Sequence, residues 1–305
     1  MNEKWLVTGA TGFIGSHLVK ALLSKDVKVH LLILPNTEEL LGELESKCDI
    51  SVYDGKTESV VEIFNRINPV GVFHLASKFL ASHESKDIND LITSNILLGT
   101  QLLEGAFKST TRYFVNTGTN WQHYNDEKYN PVCLYAATKK SFEDILMFYT
   151  ETSTLKSTTL KLFDTYGAGD TRRKLISTLA ETAVTRKPLL MSPGEQLLDL
   201  VHIKDVVSAF MAARIYLLSD NSKKYSEYGV SMGISNRISL CELVKRFETA
   251  IGYKMPVEFG KRAYRFREVM LPWTKFETPP GWTPGVTLNE GILEMIENAR
   301  KSKYK

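Results

Sequence analysis

Three evenly spaced glycines near the start of the 305-residue chain constrain its fold more than any other feature. The segment TGATGFIG places Gly9, Gly12 and Gly15 directly after an apolar run at 5–7, and a helical apolar pattern follows. Glycine lets a backbone approach a pyrophosphate closely, and a helix N-terminus offers free N–H groups. The segment therefore predicts a dinucleotide site, although a tight strand-to-helix turn without a ligand can have the same local sequence.

Short apolar runs alternate with helical patterns over the first two-thirds of the chain. The runs lie at 5–7, 27–34, 70–76, 112–116 and 158–163. They are mostly continuous, which is typical of strands buried on both faces. Strands that alternate with helices predict right-handed crossovers and a parallel sheet. The predicted fold class is α/β, with a Rossmann-type doubly wound parallel sheet.

After Tyr166 the alternation loosens, and glycine and proline interrupt it. One further strand–helix unit follows at 199–214, and a helical pattern returns at Leu288 to Ala299. We expect a dinucleotide-binding domain of residues 1–165 plus 199–221. Residues 166–198 plus 222–305 are expected to form a smaller, discontinuous C-terminal α/β substrate lobe.

Composition limits the function classes. The net charge is only +3 and the basic residues are scattered, which argues against a nucleic-acid partner. No apolar run reaches the roughly 18 residues that a membrane span needs, and the N-terminus has no signal-peptide pattern. Cys48, Cys133 and Cys241 lack the spacing of a metal site. These features predict a cytoplasmic protein with no bound metal and no membrane partner.

A tyrosine and a lysine stand four residues apart in LYAATKK, at Tyr135 and Lys139. On a helix this spacing places both side chains on one face. A phenol, with a reference pKa of about 10, needs a nearby cation to act as an acid–base catalyst at neutral pH. An ordinary amphipathic helix can carry the same pair, so it is the glycine loop upstream that favours a catalytic role.

These segments together resemble the extended short-chain dehydrogenase/reductase family, which includes nucleotide-sugar epimerases, dehydratases and reductases. TGATGFIGSHL resembles its cofactor loop, and Tyr135 with Lys139 its catalytic pair. The resemblance implies that Thr119, in FVNTGTNWQH, contacts the substrate oxygen, with Thr117 as the alternative. It also implies a nicotinamide cofactor, a nucleotide-sugar substrate and a homodimer.

The resemblance assigns a set of cofactor contacts. They are Gly9, Thr11, Gly12, Phe13, Ile14, Gly15, Asn36, Asp54, Leu75, Ala76, Ser77, Asn95 and Lys139. An acid at the end of the second strand would bind the ribose 2′-hydroxyl of NAD, but Leu34 and Pro35 stand there instead. We therefore expect NADP (as NADPH) to be preferred, although NAD can also serve.

The loop after Thr119 separates the chemistries of the family. Family dehydratases and decarboxylases carry an acid there, whereas this chain has Asn120 and Trp121. An acid that cannot reach the reacting carbon cannot catalyse elimination. Hydride transfer remains, with the proton delivered by Tyr135, in either a 4-ketoreductase or a 4-epimerase. The missing acid at the end of the second strand favours the reductase.

Three longer segments, TGTNWQHYN, YNPVCLYAATKKSFEDIL and LKLFDTYGAGDTRRKLI, resemble the CDP-paratose and CDP-abequose synthase group. This implies NADPH-dependent reduction of the 4-keto group of a nucleotide-linked 3,6-dideoxy- or 6-deoxyhexose, in deoxysugar biosynthesis of the O-antigen type. The expected substrate contacts are Lys78, Trp121, Gln122, His123, Asp164, Arg173, Lys174 and Arg267. His123 could also be a second proton donor. The nucleotide base and the configuration of the product at C4 stay open.

Overall fold

The computed structural model describes residues 3–303, and its secondary structure alternates between strands and helices. In chain order the strands are β1 (Lys4–Thr8), β2 (Lys28–Ile33), β3 (Asp49–Val52), β4 (Gly71–His74), β5 (Tyr113–Thr119), β6 (Lys156–Leu162), β7 (Asp164–Tyr166), β8 (Leu189–Leu190), β9 (Leu197–Leu198), β10 (Leu200–His202), β11 (Tyr225–Val230), β12 (Ile238–Ser239) and β13 (Val257–Glu258). The helices are α1 (Phe13–Leu23), α2 (Thr57–Ile67), α3 (Ile88–Ile92), α4 (Leu98–Lys108), α5 (Leu134–Thr152), α6 (Leu175–Thr185), α7 (Ile203–Leu218), α8 (Leu240–Ile251) and α9 (Leu288–Lys303). No helix within the described range is long and apolar enough to span a bilayer.

A central sheet of seven parallel strands, in the order β11-β6-β5-β4-β1-β2-β3, organises the fold. Helices cover both of its faces. Leu18 of α1 and Phe210 of α7 belong to the core on one face, and Phe64 of α2 and Phe142 of α5 belong to the core on the other. The strand order reverses next to β1, so the predicted doubly wound Rossmann-type sheet is confirmed.

A third apolar cluster forms the core of a smaller lobe. Leu179 of α6, Phe247 of α8 and Ile296 of α9 are almost fully buried in it. The short pairs β8–β13 and β9–β12 tie the two separated segments of this lobe together. The helix predicted near residues 288–299 corresponds to α9, which runs on to Lys303.

One predicted domain boundary is wrong. Strand β11 lies in the segment 222–305, which the sequence pattern assigned to the lobe, yet it pairs in parallel with β6 along six residues and completes the central sheet. Its sequence, YSEYGV, mixes polar and apolar residues because it is an edge strand with one neighbour. The continuous apolar run used to recognise the other strands was therefore absent from this one.

Candidate active site

A cleft of about 880 Å³ lies where the carboxyl ends of the central strands meet the lobe. Its walls include the glycine turn after β1, the segment Leu75–Ser77 after β4 and the end of β5. The crevice beside the point where strand order reverses is the usual ligand site of open α/β sheets. The predicted contacts that line it are Gly9, Thr11, Gly12, Phe13, Ile14, Gly15, Leu75, Ala76, Ser77, Lys78, Thr119, Trp121, Tyr135, Lys139, Asp164, Arg173 and Lys174.

The glycine turn is closed by contacts that a side chain would prevent. Gly9 has a φ of +75°, and a Cβ atom there would lie 2.6 Å from the amide nitrogen of Ala76. A Cβ atom on Gly15 would lie 2.1 Å from the carbonyl oxygen of Gly9. Helix α1 then begins after Gly12 with no side-chain cap. Its first N–H groups are therefore available to an anion such as a pyrophosphate.

Thr8 and Asn95 hold the segment after β4, residues 75–78, in place. The Thr8 hydroxyl accepts hydrogen bonds from the backbone N–H groups of Leu75 and Ala76, each at 3.2 Å. The Asn95 amide accepts from the Ser77 hydroxyl at 2.9 Å and bonds both backbone groups of Lys78. Asn95 is fully buried and does not line the cleft, so it supports the segment 77–78 and is not placed for the direct cofactor contact that was predicted.

A π-helical turn, Thr93–Leu97, separates α3 from α4 and carries Asn95. The Asn95 side chain uses its remaining donor on the hydroxyl of Thr138, which lies on α5. Such turns are rare in proteins as a whole, and many of those that occur lie at functional sites. Here the turn directs one amide towards two elements of the site, the segment after β4 and the tyrosine helix.

Lys139 has the most unusual environment in the cleft. Its side chain is fully buried, and its Nζ has no hydrogen-bond partner within the described chain. Burial lowers the pKa of Lys139 to about 8, and the carboxylate of Glu143 partly offsets this effect. A buried ammonium group without an acceptor is costly. The position is therefore suited to a ligand that brings hydroxyl oxygens, such as the ribose of a dinucleotide.

Tyr135 lies one helical turn before Lys139 and faces the cleft. Burial, with a smaller effect of Cys133, raises the pKa of Tyr135 well above its usual range, so the phenol is protonated at neutral pH. It can therefore donate a proton, and a cation beside it would stabilise the resulting phenolate. Phe79 packs edge-on against the Tyr135 ring, with 5.0 Å between the ring centroids.

The end of β5 brings two hydroxyl groups to the cleft. Thr117 donates its hydroxyl hydrogen to the carbonyl oxygen of His74 at 2.9 Å. The Thr119 hydroxyl instead accepts from the backbone N–H of Trp121 at 3.3 Å, which leaves its hydrogen available to a ligand. This difference supports the prediction that Thr119 is the substrate contact. Asn120, the next residue, also lines the cleft, and its side-chain amide donates to the carbonyl oxygen of Leu162 at 3.0 Å.

Gln122 and His123 do not line the cleft, and the prediction that they bind substrate is not supported by their positions. The Gln122 amide donates to the Glu143 carboxylate at 2.8 Å, beneath the site. His123 stacks on Trp273, with ring centroids 3.9 Å apart. Burial, with the nearby Lys161 cation, lowers the pKa of His123 to about 4, so it is neutral at pH 7 and is a poor proton donor. Two turns after β5 carry these residues inward, which the sequence pattern did not reveal.

Three other predicted contacts also lie away from the cleft lining. Asn36 is exposed in a left-handed turn with a φ of +59°. Asp54 accepts hydrogen bonds from the backbone of Lys56 and the hydroxyl of Ser59, so it stabilises the start of α2. Arg267 bonds the side chain of Asn130 and stacks on Tyr124.

The opposite wall of the cleft carries most of its charged side chains. The Arg265 guanidinium lies 5.5 Å from the ring centre of Trp121 and makes two hydrogen bonds, each of 3.1 Å, to the carboxylate of Glu268. Arg172 pairs in the same way with Asp170. The protein around Asp164 displaces water and raises the pKa of its carboxyl group, although Lys174 opposes this rise. This wall can therefore receive an anionic ligand such as a diphosphate.

Comparison with known proteins settles the family. A model described as the NAD dependent epimerase/dehydratase family matches residues 5–224. The chain belongs to this family. The resemblance drawn from the glycine loop and the tyrosine–lysine pair is thus confirmed.

Several named relatives and solved structures match almost the whole chain. The CDP-abequose synthase of Salmonella typhimurium is 25% identical, over 97% of this chain and 98% of its own length. The Thermotoga maritima UDP-glucose 4-epimerase, solved with UDP-glucose, is 26% identical with a TM-score of 0.80, and the match covers 98% of this chain and 99% of that one. The Bacillus cereus UDP-glucuronic acid 4-epimerase, solved with UDP-glucuronic acid and NAD, is 23% identical with a TM-score of 0.83 over the same shares.

The residues present fit the dinucleotide that the family name implies. The glycine turn offers a pyrophosphate site without side chains, and the unpartnered Lys139 ammonium offers a hydroxyl site. Among the described residues, no group of three or more His, Cys, Asp or Glu side chains could hold a metal ion.

Sequence reasoning did not single out Phe79, and it favoured Arg267 over Arg265, although Arg265 lines the cleft and Arg267 does not. Phe79 lines the cleft between Trp121 and Tyr135, but a single phenylalanine in a loop carries no local signal. Arg265 and Arg267 stand two residues apart, and Arg267 has a left-handed backbone with a φ of +56°. That turn directs the two side chains differently, and spacing alone does not predict it.

Proposed function

We propose that this protein is an NADPH-dependent nucleotide-sugar 4-ketoreductase. Its substrate would be a 4-keto-3,6-dideoxy- or 6-deoxyhexose linked to a nucleoside diphosphate, preferably CDP, in deoxysugar biosynthesis of the O-antigen type. The observation that carries the proposal is the composition of the cleft beside Tyr135. Phe79 packs edge-on against the phenol, Trp121 packs on Phe79, and the Thr119 hydroxyl lines the same cleft. The residue after Thr119 is Asn120, an amide that donates to the carbonyl oxygen of Leu162, and not an acid.

The proposed chemistry needs one hydride and one proton. The nicotinamide cofactor supplies the hydride when it is bound. Thr119 donates a hydrogen bond to the ketone oxygen, and Tyr135 delivers the proton to that oxygen as the alkoxide forms. Lys139 would contact the ribose hydroxyls and stabilise the phenolate that Tyr135 leaves. No elimination step is required, so no further acid is needed beside Thr119.

The end of β2 supports NADPH as the preferred cofactor. Leu34 lines the cleft there, and Pro35 and Asn36 follow it, so no carboxylate stands where it would repel a 2′-phosphate. The described residues lining this end of the cleft include no cation either. The expected preference for NADPH over NADH is therefore moderate.

The aromatic residues support a deoxygenated sugar. Phe79 and Trp121 lie 5.6 Å apart between ring centroids and form an apolar surface beside Tyr135. A 6-methyl group or a 3-deoxy carbon would pack on such a surface, whereas a fully hydroxylated sugar would lose hydrogen bonds to water. The CDP-abequose synthases among the relatives support the CDP-linked class.

A homodimer is part of the proposal. Several large apolar side chains on α4 and α5 are exposed to solvent in the single chain, among them Phe107 at 47% and Phe148 at 62%. Apolar side chains that cluster on neighbouring helices are typical of a subunit interface. We expect these two helices to pair with the same helices of a second copy.

A 4-epimerase is the second candidate, because UDP-sugar 4-epimerases of similar length and similar identity align with the whole chain. The two functions differ in their use of cofactor. A reductase consumes NADPH stoichiometrically, and the absorbance at 340 nm falls. An epimerase oxidises and then reduces the same sugar, so it shows no net change.

The decisive experiment combines a panel of CDP-, dTDP-, GDP- and UDP-linked 4-keto-deoxyhexoses with NADPH or NADH. We expect the fastest NADPH oxidation with a CDP-linked 4-keto sugar, and NMR of the product should show a new hydroxyl at C4. Interconversion of 4-hydroxy epimers without net NADPH oxidation would instead establish the epimerase. The product NMR also gives the configuration at C4.

A further inference from the structure

Four polar side chains lie buried behind the tyrosine helix without lining the cleft, and the proposed chemistry does not use them. They are Gln122, His123, Glu143 and Lys161, none of them more than 6% exposed. Burying charged groups is costly unless they are paired and hydrogen-bonded. A set of this kind directly beneath the reacting residues therefore calls for a physical explanation.

Glu143 is the centre of the set. It follows Lys139 by four residues on α5, so the two side chains share one face of the helix. Its Oε1 accepts the hydrogen bond from Gln122, and a Cβ atom on Gly118 would lie 2.8 Å from that oxygen. The glycine between Thr117 and Thr119 thus lets the carboxylate approach the end of β5. The same carboxylate joins the tyrosine helix to the turn that carries Trp121.

The charges around Glu143 come from three strands or turns besides its own helix. The Lys161 ammonium, on β6, lies 3.9 Å from Glu143 Oε2 and 3.2 Å from Glu227 Oε2. The Nε2 atom of His123 accepts a hydrogen bond from the same ammonium at 3.0 Å, and its Nδ1 atom faces the carbonyl oxygen of Glu127. The lowered pKa of His123 means that its ring is neutral at pH 7. The ionisable groups that act on Glu143 include Lys161 on β6, Glu227 on β11 and Lys140 on α5. Glu143 itself acts on Tyr135, Lys139, Lys140 and Tyr225.

Burial raises the pKa of Glu143, whereas Lys161 and the Gln122 amide favour its ionised form. Burial lowers the pKa of Lys139, and the charged group that opposes this effect is Glu143. Lys161 and Gln122 thus oppose the effect of burial on the carboxyl group, and the ionised carboxylate opposes the effect of burial on Lys139, its neighbour on the same helix face. The charged groups therefore lie in a series that runs from Lys161 on β6, through Glu143 on one face of α5, to Lys139 at the floor of the cleft.

We propose that Glu143 is a positioning residue that keeps Lys139 in its cationic form and fixes the Thr119–Trp121 wall against the tyrosine helix. The benefit for turnover rests on the proposed function, because a neutral Lys139 could neither stabilise the Tyr135 phenolate nor bind the ribose hydroxyls as strongly. The charge state of Lys139 can be tested without that function.

The first test measures Lys139 directly in the full-length protein without added ligand. Protein labelled with ¹³C at the lysine ε carbon is titrated by NMR, and the Lys139 signal is assigned by its loss in Lys139→Met. We expect Glu143→Gln, which keeps the shape and an acceptor for Gln122 but removes the charge, to lower the Lys139 midpoint by about one pH unit. An unchanged midpoint overturns the proposal.

Glu227→Gln is the matched control. It removes the same charge from the same Lys161 ion-pair set, but Glu227 is 42% exposed and does not act on Lys139. We expect its Lys139 midpoint to equal that of the wild type. An equal shift in both variants would mean that net charge alone is responsible, and it would overturn the specific role of Glu143.

Gln122→Met provides a second test if Glu143→Gln does not fold. It leaves the carboxylate in place but removes its hydrogen-bond donor, which favours the neutral carboxyl form. The Lys139 midpoint should again fall in Gln122→Met. In a separate variant, Glu143→Asp, the carboxylate charge is retained, so the Lys139 midpoint should lie closer to the wild-type value than it does in Glu143→Gln. A midpoint that stays at the wild-type value in Gln122→Met, with the fold intact by circular dichroism, contradicts the proposal.

The activity measurement separates this inference from the proposed function. With NADPH and a 4-keto sugar nucleotide, Glu143→Gln should lose kcat/KM at a lower pH than the wild type and Glu227→Gln do. If the midpoint shifts by NMR and no reductase activity exists in any variant, the role of Glu143 stands and the proposed function falls. If the wild type is a reductase and its alkaline limb does not move in Glu143→Gln, the inference falls and the function stands.

Discussion

The cofactor side of the cleft is made of backbone atoms and buried groups, whereas the substrate side is lined by paired, partly exposed ions. At Gly15 an added Cβ atom would meet the Gly9 carbonyl oxygen at 2.1 Å, and Lys139 is fully buried. Across the cleft, the arginines Arg172 and Arg265 each hold a carboxylate only two or three residues away. Close packing leaves the first side little freedom, and the second can exchange its carboxylates for a ligand's phosphates.

This contrast indicates where specificity can change. A side held by close backbone contacts tolerates few substitutions. A partly exposed arginine on a loop can be replaced with less disturbance of the backbone than a closely packed glycine, although its more buried carboxylate partner, Asp170 or Glu268, then loses hydrogen bonds. We therefore expect substitutions on the first side to affect folding and turnover strongly, and those on the second to affect mainly substrate binding.

The largest effect is expected at the junction of the two sides. Tyr135→Phe removes the proton donor and leaves the ring packed on Phe79. With the proposed substrate, kcat should fall by roughly 10²- to 10⁴-fold, the usual contribution of a general acid. NADPH affinity, measured by fluorescence titration, should stay close to the wild-type value. Turnover near that of the wild type would exclude Tyr135 as the donor.

The next effect tests the rigidity of the cofactor side. Gly15→Ala places a methyl group against the Gly9 carbonyl oxygen, so the turn must shift, with a loss of about 1–3 kcal/mol in the free energy of unfolding. Urea denaturation and NADPH titration would measure the loss of stability and of affinity. Gly285→Ala is the matched control, since its Cβ atom meets nothing nearer than 3.8 Å. Equal losses in both variants would contradict the proposed role of close packing.

A smaller effect is expected on the substrate side. Arg265→Ala should raise KM for the nucleotide sugar about tenfold, because a hydrogen bond from a cation to a phosphate is lost. The free energy of unfolding should fall less than in Gly15→Ala, because the Arg265 side chain is 60% exposed and only its two hydrogen bonds to Glu268 are lost. Arg267→Ala, whose side chain lies outside the cleft lining, is the control with a nearly unchanged KM. The reverse ranking would restore the assignment made from sequence.

The smallest effect concerns the pH dependence of substrate binding. The raised pKa of Asp164 means that its carboxyl group takes up a proton at a higher pH than usual as the pH falls. Its repulsion of an anionic substrate then decreases, so KM should fall modestly towards acidic pH in the wild type. Asp164→Asn should remove this dependence and keep KM near its acidic value. A KM that varies with pH in the same way in both proteins would exclude Asp164 as the titrating group.

The features of the site that the sequence predicted are those in which local geometry determines the chemistry. The Gly9–Gly15 turn, the Tyr135–Lys139 pair and Thr119 each depend on spacing within one element, and all of them line the cleft. The central sheet was predicted for the same reason, since continuous apolar runs identify buried parallel strands.

The features that sequence missed depend on chain direction over two or three residues. Gln122 and His123 follow Trp121 directly, but a short 3₁₀ turn directs them into the interior and Trp121 into the cleft. In the sequence, Glu143 is one of several charged residues on a helix, and no local pattern distinguishes it. Its position under Gly118 depends on how α5 packs on β5, which no pattern within either segment specifies.

The last strand of the sheet has a consequence for how the chain is made and divided. The family match ends at residue 224, one residue before β11 begins. A fragment cut there would leave β6, which is almost wholly buried in the intact protein, as an open edge. Unpaired edges of this kind recruit strands from other molecules. During synthesis, more than sixty residues separate β6 from β11, so this edge of β6 stays unpaired until β11 has been made. We expect the protein to depend most on chaperones during this interval.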